Sequence, residues 1–143
     1  MVLAYSGKVL GAAGATALFG SLFAVWYVVG VASPEVLTGW RAFGRQDLML
    51  AALAVLAFAT TLVRPRLVGI DVFAPTIIVL RALFGLVALL LIARRLYAPP
   101  FAGGPVDVRA GAYIGLAAAA IVVLSAGLDW AGRPRRANPE PLL

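Results

Sequence analysis

Two residue types are missing from this chain altogether, cysteine and histidine. Without cysteine the chain forms no disulfides and no thiolate metal sites. Without histidine it lacks the side chain that most often titrates near neutral pH and most often ligates metal or haem. The sequence also contains no HExxH motif and no glycine-rich phosphate-binding loop. We therefore expect no enzymatic activity, no cofactor and no metal site.

Acidic residues are scarce, with six Asp and Glu against twelve Lys and Arg, which gives a net charge of +6. All six are predicted to lie in loops, at helix ends or in the tail: Glu35, Asp47, Asp71, Asp107, Asp129 and Glu140. Proton- or sodium-coupled transporters usually need ionisable groups near the membrane midplane, so coupled transport is disfavoured. The basic residues fall mainly between long apolar runs, a placement that favours anionic lipid head groups over nucleic acid.

Charge of either sign is limited to 13% of the residues, whereas 63% are hydrophobic and the mean hydropathy is +1.00. Ordinary chains are about 45–50% apolar, so this composition indicates a membrane protein. Four long apolar segments follow one another: Val9–Ala32, Leu48–Val63, Thr76–Ala93 and Ala110–Leu128. A spanning helix needs about 20 residues, and the second segment reaches that length with a turn from Gly44–Asp47. The polar residues inside the segments are predicted to hydrogen-bond to their own helix: Thr16, Ser21, Thr60, Thr61 and Ser125.

These segments predict an all-α membrane protein, with four transmembrane helices in an antiparallel bundle over residues 1–130, because short loops make neighbouring helices antiparallel. The Pro- and Arg-rich tail, residues 131–143, is predicted to be disordered. The first segment is longer than the apolar region of a signal peptide, so we expect it to be retained. Asp47 is predicted to cap the second helix, and Pro75 suits the first turn of the third. Asp107 or Val108 is predicted to begin the fourth.

The connection between the first two segments, Ser33–Asp47, is long and aromatic. Trp40 and Phe43 would share one helical face, and they would join Trp26 and Tyr27 in an aromatic cluster at one membrane interface. We interpret the cluster as an aromatic belt that anchors a short interfacial helix. A ligand-binding lid is the less favoured interpretation.

Small residues recur at helical spacing in two segments. Gly111 and Gly115 form a GxxxG motif in the fourth segment, and Gly7, Gly11 and Ala15 have the same spacing around the start of the first. Small residues let helix backbones approach closely. The motif is compatible with packing inside one chain and with contact to another subunit.

A single arginine, Arg81, interrupts the third segment, about 9 Å along the helix from Pro75 at 1.5 Å per residue. Its long stem allows the guanidinium to reach the near interface. Alternatively it pairs inside the bundle, and Asp129 is then the preferred partner, because the fourth helix returns to the same side. At the opposite side, Asp47 and Arg109 either pair with each other or are separately solvated.

Four stretches resemble a family of uncharacterised, small four-helix integral membrane proteins of high-GC Gram-positive bacteria. The stretches are WY (26–27), TGWRAFGRQD (38–47), RRLYAPP (94–100) and RAGAYIGLAAA (109–119). Two departures are Val25, where relatives often have proline, and Arg81, which is not part of the pattern. The resemblance spans most of the chain and implies the four-helix fold, but it brings no activity.

Taken together, these features predict an accessory, scaffold or interaction subunit of a membrane assembly. The alternative is a small transporter or channel subunit that works as an oligomer. Expected partners are the lipid bilayer and either another membrane protein or further copies of the chain, bound through the small-residue faces. We expect a bacterial cytoplasmic membrane location with both termini inside, because six basic residues would lie inside against five outside.

Overall fold

Four long helices dominate the computed structural model, which describes residues 2–30, 34–42, 44–63, 74–99 and 105–133. The long helices are α1 (Val2–Ser21), α3 (Arg45–Leu62), α4 (Ala74–Tyr97) and α5 (Ala110–Ala131), and α2 (Gly39–Ala42) is a four-residue helix. Three short strands complete the described elements: β1 (Val25–Val29), β2 (Glu35–Thr38) and β3 (Val106–Val108). The protein is therefore mostly helical, and the prediction that it is entirely α-helical is wrong.

Each long helix packs against two others, because α1 and α4 both lie between α3 and α5. Contacts along the helices show that neighbours run antiparallel, as predicted. Gly7, early in α1, approaches Asp129 near the end of α5, whereas Gly14 approaches Ile121. Arg81, early in α4, contacts Thr60 near the end of α3. Small side chains on the buried face of α5 permit this close packing: Gly111, Ala112, Gly115, Ala118 and Ala119.

Three helices in the described part of the chain are long and apolar enough to cross a membrane: Arg45–Leu62, Pro75–Tyr97 and Ala110–Ala131. Their outward faces carry many exposed large apolar side chains, among them Leu48, Val55, Leu83, Leu90 and Leu124. Water disfavours such faces and lipid does not. These observations identify a candidate multi-pass membrane protein.

The prediction of four such spans is wrong for the first segment, because the apolar run Val9–Ala32 is not one helix. Helix α1 ends at Ser21, and a turn over the next three residues leads into β1. The β1 sequence VWYVV is built of β-branched and aromatic residues, which favour strands. The uncharged part of α1, residues 9–21, is shorter than the about 20 residues that a span needs.

The strands form one antiparallel sheet in the order β2-β1-β3. Tyr27 at its centre pairs with Leu37 on one side and Val108 on the other. The sheet lies where α1 ends and α5 begins, because the Arg109 amide donates to the Trp26 carbonyl over 2.8 Å. We call this the sheet end of the molecule, and the opposite end, with Thr60 and Asp129, the clasp end.

The sheet changes two further predictions. Within the described part of the connection Ser33–Asp47, the strand β2 precedes the short helix α2, because Glu35–Thr38 pairs with β1. Asp107 and Val108 lie in β3, so α5 begins later, at Ala110. Phe43 lies outside the described residues.

The remaining helix boundaries agree with the sequence in part. Pro75 is the second residue of α4, as its fixed backbone angle favours. Asp47 is not the N-cap of α3, because the helix begins at Arg45 after Gly44, whose φ of 58° suits glycine. Asp47 lies in the first turn instead. Asp71 and the tail beyond Arg133 lie outside the described residues.

Candidate functional site

A buried polar centre lies at the clasp end, and Arg81 is its middle residue. Only 1% of the Arg81 side chain is exposed, although the residue belongs to an apolar helix. Its Nη1 atom donates to Asp129 Oδ2 of α5 over 2.6 Å. Its Nε and Nη2 atoms donate to the hydroxyl and the carbonyl oxygen of Thr60 in α3, both over 3.1 Å. One guanidinium therefore joins three helices, and the partner suggested by the sequence is the one it contacts.

The glycines of α1 cover this centre. A Cβ atom on Gly7 would lie 2.2 Å from Asp129 Oδ1, and one on Gly11 would lie 3.2 Å from Arg81 Nη1 and 2.9 Å from Ser125 Oγ. Neither position has room for a larger residue without rearrangement. The small-residue spacing in α1 thus brings its backbone directly onto the ion pair, and all four long helices meet here.

Hydroxyl groups in the helices bond to their own backbone, as predicted. Thr60 and Thr61 donate to carbonyls three residues earlier over 2.6 Å each, and Ser125 does the same. Thr16 and Ser21 donate to the carbonyls of Ala12 and Leu18. Thr60 is the exception in one respect, because its oxygen also accepts from Arg81. Of these five hydroxyl groups, that of Thr60 therefore serves as an acceptor for Arg81, and all five donate to backbone carbonyls of their own helices rather than mark an ion pathway.

One polar atom at the centre is not hydrogen-bonded within the described part of the chain, namely Asp129 Oδ1. Asp129 is 5% exposed, so water reaches this carboxylate only slightly. Paired opposite charges are far less costly in such surroundings than either charge alone. The arrangement therefore acts as a clasp between helices.

The GxxxG motif of α5 serves packing inside the chain. A Cβ atom on Gly111 would lie 2.5 Å from the Val25 carbonyl oxygen, and one on Gly115 would lie 2.9 Å from the ring of Trp26. The indole of Trp26 is fully buried, and its Nε1 atom donates to the Ser21 carbonyl over 2.6 Å. Gly111 and Gly115 thus form a seat for Trp26, so the intrachain alternative is the one observed.

The predicted aromatic belt is wrong for its two most buried members. Trp26 and Tyr27 are 0% exposed and belong to the hydrophobic core at the sheet end. Trp40 of α2 packs against that core and meets Phe23 edge to face, with ring centroids 5.7 Å apart. Trp26 and Tyr27 therefore tie the sheet to the helical core, against which Trp40 also packs.

Asp47 and Arg109 are placed in different surroundings. Asp47 is 1% exposed, whereas Arg109 lies at the surface with about half of its side chain exposed. Arg109 Nη2 pairs with Asp107 Oδ2 over 2.7 Å, and that carboxylate is exposed too. Arg109 therefore has a local partner across the junction of β3 and α5, and such an exposed pair contributes at most about 1 kcal/mol.

A second polar group, at the sheet end, was not predicted. Arg95 Nε donates to Gln46 Oε1 over 2.8 Å, and Nη2 donates to the same oxygen. The Tyr27 hydroxyl donates to the Arg95 carbonyl over 3.1 Å. Burial raises the pKa of the Tyr27 hydroxyl, and the nearby Arg95 charge partly offsets this. The sequence signal was the pair Arg94–Arg95 at the end of an apolar segment.

No protein-family model, curated protein or solved structure matches this chain. The family suggested by the sequence motifs therefore stays a hypothesis. Among the residues that the structure describes, no group of three or more acidic side chains converges on a metal site.

Proposed function

We propose that this chain is an integral membrane protein that serves as an accessory, scaffold or interaction subunit of a membrane assembly. The observation that carries the proposal is the Arg81 clasp, which joins α3, α4 and α5 through three hydrogen bonds and is covered by α1. A body tied together in this way is suited to holding a fixed shape. It is less suited to the helix movements that transport requires.

We further propose that α1 packs beside α5 within the membrane-embedded part of the chain, although it is not one of the three candidate spans. The two helices lie together from Gly7 against Asp129 to Gly14 against Ile121, and α5 is itself long and apolar enough to span. Lys8 would then lie near the head groups at the clasp end, where a lysine side chain can extend toward water. A bacterial cytoplasmic membrane and cytoplasmic termini remain part of this proposal.

The partner surface in this proposal lies on the outward helix faces rather than on the glycine motifs. Gly111, Gly115, Gly7 and Gly11 all face neighbouring parts of the same chain. The outward faces of α3 and α4 instead carry exposed leucine and valine, which suit both lipid and another apolar helix. The absence of histidine and cysteine from the sequence supports a role without catalysis.

A transporter or channel subunit is the second candidate, favoured by one observation. Asp129 is a buried ionisable group near the end of the candidate span Ala110–Ala131, and such residues commonly mark proton or ion routes. Its Oδ1 atom has no hydrogen-bond donor among the described residues. An oligomer would be needed, because the described helices surround an ion pair rather than a pore.

Purification from the native membrane in mild detergent, followed by mass measurement, tests the proposal. A complex of fixed stoichiometry with another membrane protein is the expected result. A closed homo-oligomer would favour the transporter or channel subunit instead. A stable lone monomer would contradict both candidates, and recovery without detergent would contradict the membrane location itself.

A further inference from the structure

A small polar cleft opens between α3 and α4 at the sheet end. Its volume is about 120 Å³, and its lining residues are Gln46, Leu91, Arg94, Arg95 and Ala98. Two arginines and one glutamine thus line a cleft at the end of a candidate spanning helix, where lipid head groups would lie if the helix spans a membrane. Leu91, one turn deeper along α4, gives the cleft an apolar floor.

The two arginines of the cleft have different roles. Arg95 is held in place by Gln46, whose Oε1 atom accepts from both Nε and Nη2. Arg94 is exposed, and no ion pair between described residues includes it. A fixed arginine beside an exposed one is suited to a phosphate, because guanidinium groups bind phosphate oxygens in a bidentate manner.

The charge of this end favours an anion. Five arginines belong to it, Arg41, Arg45, Arg94, Arg95 and Arg109, against the three carboxylates Glu35, Asp47 and Asp107. One of those carboxylates, Asp107, already pairs with Arg109. Positive charge remains available beside the cleft, and it is close enough to a bilayer surface to attract anionic lipid.

The size of the cleft limits what it holds. A volume of about 120 Å³ equals that of roughly four water molecules at 30 Å³ each, which is enough for a phosphate group but not for a whole lipid. Acyl chains attached to that phosphate would continue into the bilayer along α4, where Leu90 and Val87 are exposed. The apolar wall below the arginines therefore favours a lipid over a free phosphate ion.

We propose that this cleft is a binding site for the phosphate of an anionic phospholipid, with Arg94 as its main ligand and Gln46 as the residue that positions Arg95. The site rests on the proposed membrane location and adds a ligand to it. Lipid binding here would fix the depth of α3 and α4 in the leaflet at the sheet end.

Native mass spectrometry of the detergent-purified full chain tests the site with three probes: phosphatidylglycerol, phosphatidylcholine and inorganic phosphate. Phosphatidylglycerol is expected to bind most tightly. Arg94→Gln should weaken it about tenfold, as expected when a hydrogen bond between charged groups is lost. The affinity of Arg94→Lys for phosphatidylglycerol should lie between those of the wild type and Arg94→Gln, because lysine keeps the charge without the bidentate geometry. Arg41→Gln is the matched control, an exposed arginine at the same end but outside the cleft lining, and should change binding less than twofold.

Equal binding of phosphatidylglycerol by wild type and Arg94→Gln would overturn the site. An equal loss in Arg41→Gln would show general electrostatic attraction and would also overturn it. Competition by inorganic phosphate as effective as that of phosphatidylglycerol would overturn the lipid assignment. These outcomes leave the proposed membrane location intact, whereas recovery of the chain without detergent would remove that location whatever the lipid result.

Discussion

Replacing Arg81 by leucine is expected to destabilise the protein strongly, because it leaves Asp129 buried without its cation. Asp129 is only 5% exposed, and its bonded oxygen lies 2.6 Å from Arg81 Nη1. Removing one partner of a buried ion pair typically costs about 3–5 kcal/mol. The Thr60 carbonyl would also lose its bond from Nη2.

The size of the expected shift follows from the chain length. A loss of 1 kcal/mol lowers Tm by about 2–4 °C in domains somewhat larger than this one, so Arg81→Leu should lower Tm by about 10 °C. Thermal unfolding in a mild detergent measures this. The matched control is Arg45→Leu at the exposed start of α3, for which we expect a change within about 0.5 kcal/mol.

A double-mutant cycle separates the ion pair from general packing. In an Asp129→Asn background no carboxylate charge remains, so Arg81→Leu should cost less than in the wild type. The expected interaction energy lies between about 0.5 and 3 kcal/mol. Additive effects of the two substitutions would refute the clasp, and so would an Arg81→Leu effect no larger than that of Arg45→Leu.

Three further predictions concern the packing of α5, the Tyr27 hydroxyl and the orientation of the C-terminus. Gly111→Ala should lower Tm, because the added Cβ would lie 2.5 Å from the Val25 carbonyl oxygen. The control Gly127→Ala lies in the same helix, meets nothing within 4 Å and should raise Tm. Equal shifts in the two variants would contradict the packing of Gly111 against Trp26 and its neighbour. The pKa of the Tyr27 hydroxyl should lie above the ordinary value for tyrosine, which ultraviolet titration of wild type and Tyr27→Phe would show. Because the raised pKa belongs to the folded state, Tyr27 should make stability fall as pH rises above about 10, and Tyr27→Phe should remove that part of the fall. A reporter fused to the C-terminus should lie in the cytoplasm, and an external reporter would overturn the predicted orientation.

The sequence predicted the long helices well where charge and hydropathy decide the structure. The second, third and fourth apolar segments became α3, α4 and α5, because apolar runs of this length have few alternatives to a helix in lipid. The partner of Arg81 was also predictable, since antiparallel helices return Asp129 to the side where α4 begins, close to Arg81. Lone acidic and basic residues in apolar segments have few candidate partners, which makes pairing easier to infer.

The sheet was not predictable by hydropathy, because apolar residues suit a buried strand and a membrane helix equally well. The run that ends at Ala32 contains most of α1 and all of β1, and only the cluster of valine and aromatic residues distinguishes them. Tyr27 pairs with Val108, about eighty residues later in the chain. Such pairing depends on how the helices bring distant segments together, and local patterns do not contain that information.

Cysteine accessibility in intact cells tests the central claim, a multi-pass membrane protein with both termini inside, most directly. The chain has no cysteine of its own, so single substitutions carry no background. A membrane-impermeant maleimide should label Arg41→Cys and Asp107→Cys in intact cells. It should label Tyr5→Cys, Val63→Cys and Arg133→Cys only after the cells are permeabilised. Labelling of Tyr5→Cys in intact cells would place the N-terminus on the same side as Arg41, and this result would contradict the proposed orientation.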